Sequence, residues 1–311
     1  MAWKKMGRIA SLELSDLRAT THMQGPVAVV LGDAIRIYFS ARGSTGKSYP
    51  AYVDVDKSDP GRVIRLHEQP VMSFGHLGTF DDDGIMPACA AFVGEALRLY
   101  YSGWNRRTTI PYHNTTGVAT SYDNGNTFQR NFDGPILDRT PDEPYMAVTP
   151  WVMQEGNIWR MWYVSGVGWP NIGGSLEPVY VIKYADSCDG IHWRRPNVLS
   201  VPQRHALEAI ARPTVVCRDG IYHMWFCYRD SVDFRDGEGS YRIGYAQSID
   251  GYAWQRCDQM SGIEVSRSGW DSTMLCYPYV IEADGVLVMF YNGNSFGQTG
   301  IGYAVWEGAL P

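Results

Sequence analysis

Carboxylates stand a few residues before several of five prolines that recur along the chain. Pro26, Pro87, Pro150, Pro213 and Pro278 are 61 to 65 residues apart. The acidic residues in these stretches are Asp81, Asp82, Asp83, Asp142, Glu143, Glu208 and Asp271. Two carboxyl groups facing one glycosidic bond can cleave it, one as an acid and the other as a base or nucleophile. The spacing therefore predicts acid–base chemistry on a sugar, if the fold brings these stretches together.

The catalytic candidates are Asp81, Asp82, Glu208 and Asp271. Asp82 is our predicted base or nucleophile, because its two neighbours are better placed to bond the turn that precedes Gly84. Glu208 is our predicted acid, since apolar neighbours raise the pKa of a carboxyl, although Arg212 in the same stretch opposes this shift. Three alternatives stay open: a solvated acidic loop or a divalent-cation site at residues 81–83, and a structural Glu208–Arg212 ion pair.

Further polar and aromatic residues are expected at the same end of the molecule as substrate-binding groups. Some precede a repeated proline, and the others follow the second strand of a repeat. They are His22, Gln24, Arg42, Asp83, Trp104, Asn105, His113, Glu143, Trp169, Arg212, Arg229, Asn292 and Asn294. Structural roles are the alternative for the two histidines, and a simple turn is the alternative for Asp142–Glu143.

The elements that must position these residues form a repeated unit. Each unit has a proline-led apolar strand, a short turn and an aromatic strand, such as Met161-Trp162-Tyr163. A third strand and a hairpin turn containing Asp-Gly follow, which favours antiparallel pairing with a fourth strand. Four such strands repeated radially make a β-propeller blade. The sequence predicts an all-β, five-bladed propeller forming a single domain over residues 1–311, in which Trp3–Ile9 closes the last blade.

Strand direction separates the repeated hairpin turns from the candidate site. In an up-and-down blade, the starts of the first strands and the loops between the second and third strands share one face. The turns between the third and fourth strands lie on the other face. Those turns contain Asp123, Asp189 and Asp250, and a structural role through bonds to turn N–H groups is the stronger interpretation.

Composition and charge exclude several classes of protein. Aspartate plus glutamate exceeds lysine plus arginine by 33 to 27, a net charge of −6, so nucleic acid is not a predicted partner. We find neither a secretory signal nor an apolar run of the ~18 residues that a membrane span needs. The six cysteines lack C-x-x-C spacing, which predicts buried free thiols in a cytoplasmic protein. No cofactor and no metal are predicted, and a divalent cation in the centre of the propeller is the alternative that stays open.

Over residues 20–306 the chain resembles the five-bladed β-propeller glycoside hydrolases. That superfamily includes the arabinanase and β-xylosidase group, the invertase and levansucrase group, and the mannoside phosphorylase group. The resemblance rests on the five proline-led repeats, the Tyr-Ala-x-Ser-x-Asp-Gly-x-x-Trp hairpins and the segment Tyr291–Asn294. The chain also resembles propeller proteins of bacterial surface-polysaccharide gene clusters.

The resemblance implies a glycoside hydrolase-like enzyme that cleaves or transfers a glycosyl group of a small saccharide or nucleotide sugar. The superfamily's usual acids are missing from their usual positions: residues 22–26 contain no carboxylate, and Glu208 stands five residues before Pro213 rather than in a Glu-x-Pro motif. Two alternatives follow from this departure. One is a carbohydrate-binding propeller without catalysis, and the other is a non-hydrolytic sugar-modifying enzyme in polysaccharide biosynthesis.

Overall fold

The computed structural model describes residues 2–10, 21–67 and 69–310 and shows an all-β protein. The helical segments of the described part are two short 3₁₀ turns, Asp258–Met260 and Ser295–Gly297. No helix in these ranges has the length and hydrophobicity that a membrane crossing requires.

The strands fall into five groups of four, and each group pairs in antiparallel fashion. The N-terminal strand is β1 (Ala2–Ala10). The first group has β2 (Met23–Leu31), β3 (Ala34–Arg42), β4 (Ser48–Asp56) and β5 (Val63–His67). The second has β6 (Gly84–Val93), β7 (Ala96–Arg106), β8 (Tyr112–Ser121) and β9 (Gln129–Arg130). A single parallel bridge, Ser48 to Gly84, joins these two groups.

The other groups follow in chain order. The third has β10 (Ala147–Glu155), β11 (Ile158–Gly168), β14 (Val179–Ser187) and β15 (Arg194–Val201), with a small hairpin of β12 (Asn171–Ile172) and β13 (Ser175–Leu176) inserted. The fourth has β16 (Glu208–Arg218), β17 (Ile221–Asp230), β18 (Arg242–Ser248) and β19 (Gln255–Arg256). The fifth has β20 (Cys276–Ala283), β21 (Val286–Asn292) and β22 (Ile301–Glu307).

The first strands of the five groups contact one another in a closed cycle. β2 contacts β6, β6 contacts β10, β10 contacts β16, β16 contacts β20, and β20 contacts β2 again. Strand β1 completes the fifth group by pairing with β22, from Ala2 opposite Glu307 to Ala10 opposite Ile301. The predicted pairing of the N-terminal strand is thus confirmed, and it covers an edge that β22 would otherwise expose.

Adjacent groups are held together by aromatic residues of the second strands. The Tyr100 hydroxyl donates to the Gly190 carbonyl at 2.8 Å, and the Trp162 indole donates to the Gly251 carbonyl at 2.9 Å. Tyr38 makes the same bond to Gly125. In each case a buried polar hydrogen of one group is satisfied by the hairpin turn of the next group, as buried polar groups must be.

Those hairpin turns confirm the structural interpretation of their aspartates. Ser187 Oγ accepts hydrogen bonds from two backbone N–H groups, while Asp189 Oδ1 accepts from the N–H groups of Ile191 and His192 at 2.8 Å. Asp123 and Asp250 bond their own turns in the same way. These bonds lower the pKa of all three carboxyls, although burial acts in the opposite direction.

The cysteine prediction needs one correction. All six cysteines are free, and Cys89, Cys227, Cys257 and Cys276 are buried as expected. Cys188 and Cys217 are instead exposed. Cys188 lies in a hairpin turn between Ser187 and Asp189. Those two side chains hydrogen-bond each other and the N–H groups of the turn, and the side chain of Cys188 is left on the solvent side.

Candidate functional site

A cavity of about 220 Å³ lies where the five first strands meet. Each of these strands has a register irregularity beside its repeated proline. At this point the residue before the proline reaches the cavity, and every group contributes one. These five pre-proline residues are Gly25, Met86, Thr149, Arg212 and Tyr277.

Four of the five pre-proline residues have a left-handed backbone. The φ angles are +67° at Gly25, +43° at Thr149, +54° at Arg212 and +57° at Tyr277. Glycine adopts this conformation easily, but a β-branched residue such as threonine does so rarely. Strained residues of this kind persist only where the surrounding structure enforces them, and they concentrate at ligand sites.

The walls of the cavity come from the ends of the second strands and the starts of the third strands. Arg42 is the last residue of β3, and Trp104 lies two residues before the end of β7. Tyr112 and Asn114 lie at the start of β8. Tyr180 and Tyr241 add two hydroxyls that hydrogen-bond each other. Because a third strand that begins at the cavity ends at its hairpin turn, Asp123, Asp189 and Asp250 lie at the opposite end of the molecule, as predicted.

Hydroxyls and amides inside the cavity can act as neutral hydrogen-bonding groups. Gln24 Nε2 donates to the Tyr277 hydroxyl at 3.0 Å. Burial raises the pKa of Tyr112, Tyr241 and Tyr277, so these phenols keep their protons at neutral pH. A neutral phenol donates a hydrogen bond and also accepts one, which suits it to bind a ligand hydroxyl rather than to attack a carbon.

Four of the predicted site residues line this cavity: Gln24, Arg42, Trp104 and Arg212. None of the sixteen described lining residues is an aspartate or glutamate. From the sequence we expected Asp81, Glu208 and Asp271 to meet Arg212 in one pocket. The structure does not bring them into the cavity that Arg212 lines. These acids stand at or shortly before the start of the first strands, but their side chains turn outward along the sheet.

Each of these acids binds the outermost strand of its own group. Asp81 accepts hydrogen bonds from Arg130 on β9 at 2.8 Å and from the Tyr101 hydroxyl at 3.1 Å. Asp271 does the same with Lys5 on β1 at 2.8 Å and the Tyr291 hydroxyl at 3.1 Å.

Glu143 repeats this arrangement in the third group. It accepts from Tyr163 and Ser165, and Arg195 on β15 lies 3.7 Å away. This shared arrangement connects the start of a first strand to the last strand of the same group. Glu143, which we predicted to bind substrate, is therefore engaged by partners within its own sheet.

Glu208 is fully buried and belongs to the same set of anchors. Its partners are Arg256 on β19, at 2.8 and 2.9 Å, and Arg204, whose Nε lies at 2.7 Å. The expected partner, Arg212, is therefore replaced by these two arginines. Burial alone would raise the pKa of Glu208, but the hydrogen bonds from Arg256 and Arg204 outweigh it and lower that pKa. This shift opposes the role of a protonated acid.

From the sequence we expected Asp81 and Asp83, not Asp82, to bond the turn. In the structure Asp82, the middle residue of the acidic triplet, bonds it as well. Asp82 Oδ2 accepts from the Gly78 N–H at 2.8 Å, while its other oxygen, Oδ1, is buried without a partner. Asp83 accepts from the Arg106 N–H at 2.9 Å. The catalytic role of Asp82 stays a prediction, since its free oxygen is compatible with it.

Two predicted asparagines are used by the protein itself. Asn292 is fully buried, donates to the carbonyls of Met23 and Gly300, and accepts from the Gly25 N–H. Asn294 Oδ1 accepts from two backbone N–H groups, and its Nδ2 donates to Gly269 and Ser272. Both side chains therefore shape loops beside the cavity and are not free to bind a ligand.

The remaining predicted residues lie around the cavity rather than in it. His113 and Trp169 line a neighbouring cleft with Arg107 and Arg139, and Trp169 meets Tyr112 edge-to-face at 5.2 Å. Arg229 is buried over the Phe234 ring and donates to the carbonyls of Pro178 and Asp230.

The last two residues are close in sequence to lining residues, Asn105 to Trp104 and His22 to Gln24. Asn105 donates to the Thr79 carbonyl at 3.2 Å. Burial and the nearby Arg42 lower the pKa of His22 to about 4, so His22 is neutral at neutral pH.

Met86, Thr149 and Tyr277 line the cavity but were not among the predicted site residues. The signal was present, because each stands directly before a repeated proline and so occupies the same position as Arg212. In the described part of the chain, no cluster of three or more His, Cys, Asp or Glu side chains is arranged to hold a metal ion. That includes the acidic triplet, whose side chains bond three different segments.

Solved structures with the same fold are propeller-type glycoside hydrolases. A protein titled "Glycoside hydrolase" aligns with a TM-score of 0.73 and 17% identity, covering 98% of this chain and 92% of that one. A putative glycosidase from Bacteroides thetaiotaomicron gives a TM-score of 0.72 at 13% identity, covering 98% and 96% of the chains. An α-L-arabinofuranosidase from Podospora anserina gives 0.69 at 11%, covering 100% and 98%. The chain thus has the fold of the glycoside hydrolase propeller superfamily.

No family model matches the sequence. Two curated Mycobacterium tuberculosis proteins, "Uncharacterized protein Rv1502" and "Uncharacterized protein MT1551", are each 38% identical to it over 310 residues. The alignments cover 99% of this chain and 100% of each relative. This degree of identity over the full length shows that the chain belongs to the same family as these two mycobacterial proteins.

Proposed function

We propose that the five four-stranded groups are the blades of a five-bladed propeller, and that the protein is a glycosidase-like, carbohydrate-active protein that binds a small saccharide in its central cavity. The closed cycle of first strands supports the blade count. The observation that carries the ligand class is the composition of the cavity, which combines flat aromatic faces with neutral hydroxyl and amide groups.

A saccharide needs both kinds of surface. Its C–H faces pack on aromatic rings such as Trp104, and its hydroxyls need partners that both donate and accept, which tyrosine, threonine, asparagine and glutamine provide. The Gln24–Tyr277 pair is already oriented by its own hydrogen bond. A volume of about 220 Å³ favours one or two sugar rings over a polymer.

The cavity supports binding, or sugar chemistry other than hydrolysis by two carboxylates, better than it supports glycoside hydrolysis. Hydrolysis of the usual kind requires two carboxyl groups at about 5–5.5 Å or about 6.5–9.5 Å from each other across the bond. The described cavity lining has none. The expectation that the protein works on a nucleotide sugar in cytoplasmic polysaccharide biosynthesis stays a prediction.

Glycosyl cleavage or transfer is the second candidate, and one observation favours it. Asp82 Oδ1 is buried without a hydrogen-bond partner, which is unusual for a carboxylate and compatible with a role in catalysis. If Asp82 is the base or nucleophile, Asp82→Asn should lower kcat at least about 100-fold on any glycoside that the protein cleaves. An unchanged kcat would exclude Asp82 from the chemistry.

The binding proposal is tested by saturation-transfer NMR and calorimetry with a panel of mono- and disaccharides. Trp104→Ala should weaken binding of the best ligand at least about tenfold, because it removes a ring from the cavity wall. Trp193→Ala is the matched control, since Trp193 packs against the core away from the cavity. Equal affinities of the two variants would contradict binding in the central cavity.

A further inference from the structure

Arg212 is the charged member of the five pre-proline residues, and the protein does not neutralise its charge. The side chain is buried, with 5% of its surface exposed. Its Nη1 donates to the Pro87 carbonyl at 2.8 Å and its Nη2 to the Pro26 carbonyl at 3.1 Å. Among the described residues, no carboxylate lies within 4.0 Å of this guanidinium, which is the distance that an ion pair requires.

Other buried arginines of the molecule are treated differently. Arg36 binds both oxygens of Asp54, and Arg256 binds both oxygens of Glu208. Arg229 has no carboxylate either, but its guanidinium lies 3.9 Å from the centre of the Phe234 ring, donates to three protein oxygens and does not line the cavity. The Arg212 guanidinium lies farther from its aromatic neighbour, 5.8 Å from the centre of the Tyr277 ring. Arg212 therefore combines burial, an unpaired charge and a position on the cavity wall.

The backbone is adapted to hold Arg212 in this position. Its φ of +54° is unfavourable for a residue with a side chain. Opposite it, Gly25 leaves the space that the guanidinium fills, because a Cβ on Gly25 would lie only 2.9 Å from Arg212 Nη2. Strain around a buried unpaired charge destabilises the folded protein, so its presence points to a function rather than to stability.

A guanidinium has five N–H donors, and the two carbonyl bonds leave others for a ligand in the cavity. Arg42 lines the same cavity, and its buried Nε has no hydrogen-bond partner. The described lining thus contains two cations and no anion, although the whole chain carries a net charge of −6. A pocket of opposite sign to its protein concentrates anions locally.

We propose that the saccharide bound in the central cavity carries an anionic group, a carboxylate or a phosphate, which Arg212 binds and which Arg42 attracts. The inference rests on the proposed function, because it names the class of saccharide that this cavity accepts. A carboxylate and a phosphate each present a pair of oxygens that can accept two parallel hydrogen bonds from one guanidinium.

The test uses calorimetric titration of the full chain with matched sugars: glucose, glucuronate and glucose 6-phosphate, and the corresponding galactose and mannose series. In at least one series, an anionic sugar should bind about tenfold or more tightly than its neutral parent, and added salt should weaken only the anionic sugar. Tighter binding of the uronate would identify the anionic group as a carboxylate, and tighter binding of the sugar phosphate would identify it as a phosphate. Equal affinities within every series would overturn the proposal and leave the proposed function intact.

Variants then assign the preference to Arg212. Arg212→Gln should weaken binding of the anionic sugar about tenfold more than binding of its neutral parent, and Arg212→Lys should restore part of the preference. Because the charge is unpaired, Arg212→Gln should leave the melting temperature unchanged or raise it. A fall in melting temperature with an unchanged sugar preference would make Arg212 structural and overturn the proposal.

Two controls separate this inference from the proposed function. Arg36→Gln removes a buried but paired arginine, so it should lower the melting temperature and keep the sugar preference. Inorganic phosphate alone is the second control. If phosphate binds in an Arg212-dependent manner while no sugar of any series binds, the saccharide assignment fails together with the proposed function, and only the anion site stands.

Discussion

Four buried carboxylates act as anchors between the inner and outer strands of their sheets. Asp81, Glu143, Glu208 and Asp271 each accept hydrogen bonds from neighbouring side chains or carry a nearby cation of the last strand. Removing one partner of a buried ion pair leaves the other charge unpaired in a medium of low polarity. The main effect of these residues should therefore be on stability.

Glu208→Gln should destabilise the protein by about 3–5 kcal/mol, because Arg256 and Arg204 would lose their fully buried counter-charge and keep only Asp258. Urea unfolding followed by tryptophan fluorescence measures this change. Asp284→Asn is the control, since Asp284 pairs with Lys57 at an exposed position, where an ion pair contributes about 0–1 kcal/mol. Similar losses for both variants would contradict the anchoring role of Glu208.

Three histidines, the buried His113 and His223 and the half-buried His22, should make the protein less stable in mild acid. Burial lowers the pKa of His22 to about 4, and burial also lowers the pKa of His113 and His223. The unfolded chain, with a histidine pKa of about 6.5, therefore binds protons first as the pH falls. The contribution of the three neutral histidines to the free energy of unfolding is fully present above a pH of about 6.5. It is lost as the pH falls from there towards their lower pKa values in the folded protein.

His22→Gln should reduce this loss of stability, because glutamine does not titrate. The measurement is the urea midpoint at about pH 7.5 and about pH 5, on either side of the ordinary histidine pKa. The same substitution at the exposed His76 is the control. An identical pH dependence of wild type and His22→Gln would show that His22 does not titrate as the structure indicates.

Strand β1 is anchored by a buried aromatic side chain, Trp3. Trp3 is buried, with its ring 5.3 Å from that of Trp225 and 5.1 Å from that of Trp306. It thereby joins the N-terminal strand, the fourth group and the fifth group in one aromatic cluster. Loss of this ring should weaken the contact between the two groups as well as the strand.

Trp3→Ala should lower the free energy of unfolding by about 3–5 kcal/mol, the range for truncating a buried aromatic residue. Lys4→Ala removes the exposed ion pair with Glu307 on the same strand and should change stability by less than about 1 kcal/mol. Chemical denaturation of both variants gives the comparison. A loss below about 1 kcal/mol for Trp3→Ala would mean that β1 is not part of the cooperative unit.

The elements were more predictable from the sequence than the site. The proline period and the Asp-Gly turns specify local pairing, so the strand groups, the hairpin aspartates and the partner of Trp3–Ile9 could be predicted. The site depends on where a side chain points after an irregularity in the strand. At Arg212 the chain turns inward, whereas Glu208, four residues earlier, turns outward to Arg256. Charge and position along the chain do not distinguish these two directions.

For the whole molecule, pairing of β1 with β22 brings the two ends of the chain together. Ala2 lies opposite Glu307 in the pairing register, so a short linker can join the termini. The turn between β10 and β11, at Gly156 and Asn157, is exposed and makes no contact with the cavity. Exposed turns of this kind tolerate new chain ends.

A circular permutant that begins at Asn157 should fold and keep the ligand affinity of the natural chain. The cycle of contacts among the first strands does not depend on where the chain starts. Circular dichroism, melting and ligand titration test this expectation. A permutant opened instead within β16, which carries both Glu208 and Arg212, should fail to fold. Equal behaviour of the two permutants would argue against a closed cycle.

The pre-proline residues have a consequence for how this family can diverge. Each group of strands supplies one of the five, and apart from Tyr277 the hydrophobic core is built from other residues. Selection can therefore change what the cavity recognises by single substitutions while the scaffold stays the same. The glycine at position 25 limits this freedom, because a larger residue there collides with the guanidinium of Arg212. Relatives that lose the arginine are then expected to tolerate larger residues at that position, so the two positions should vary together across the family.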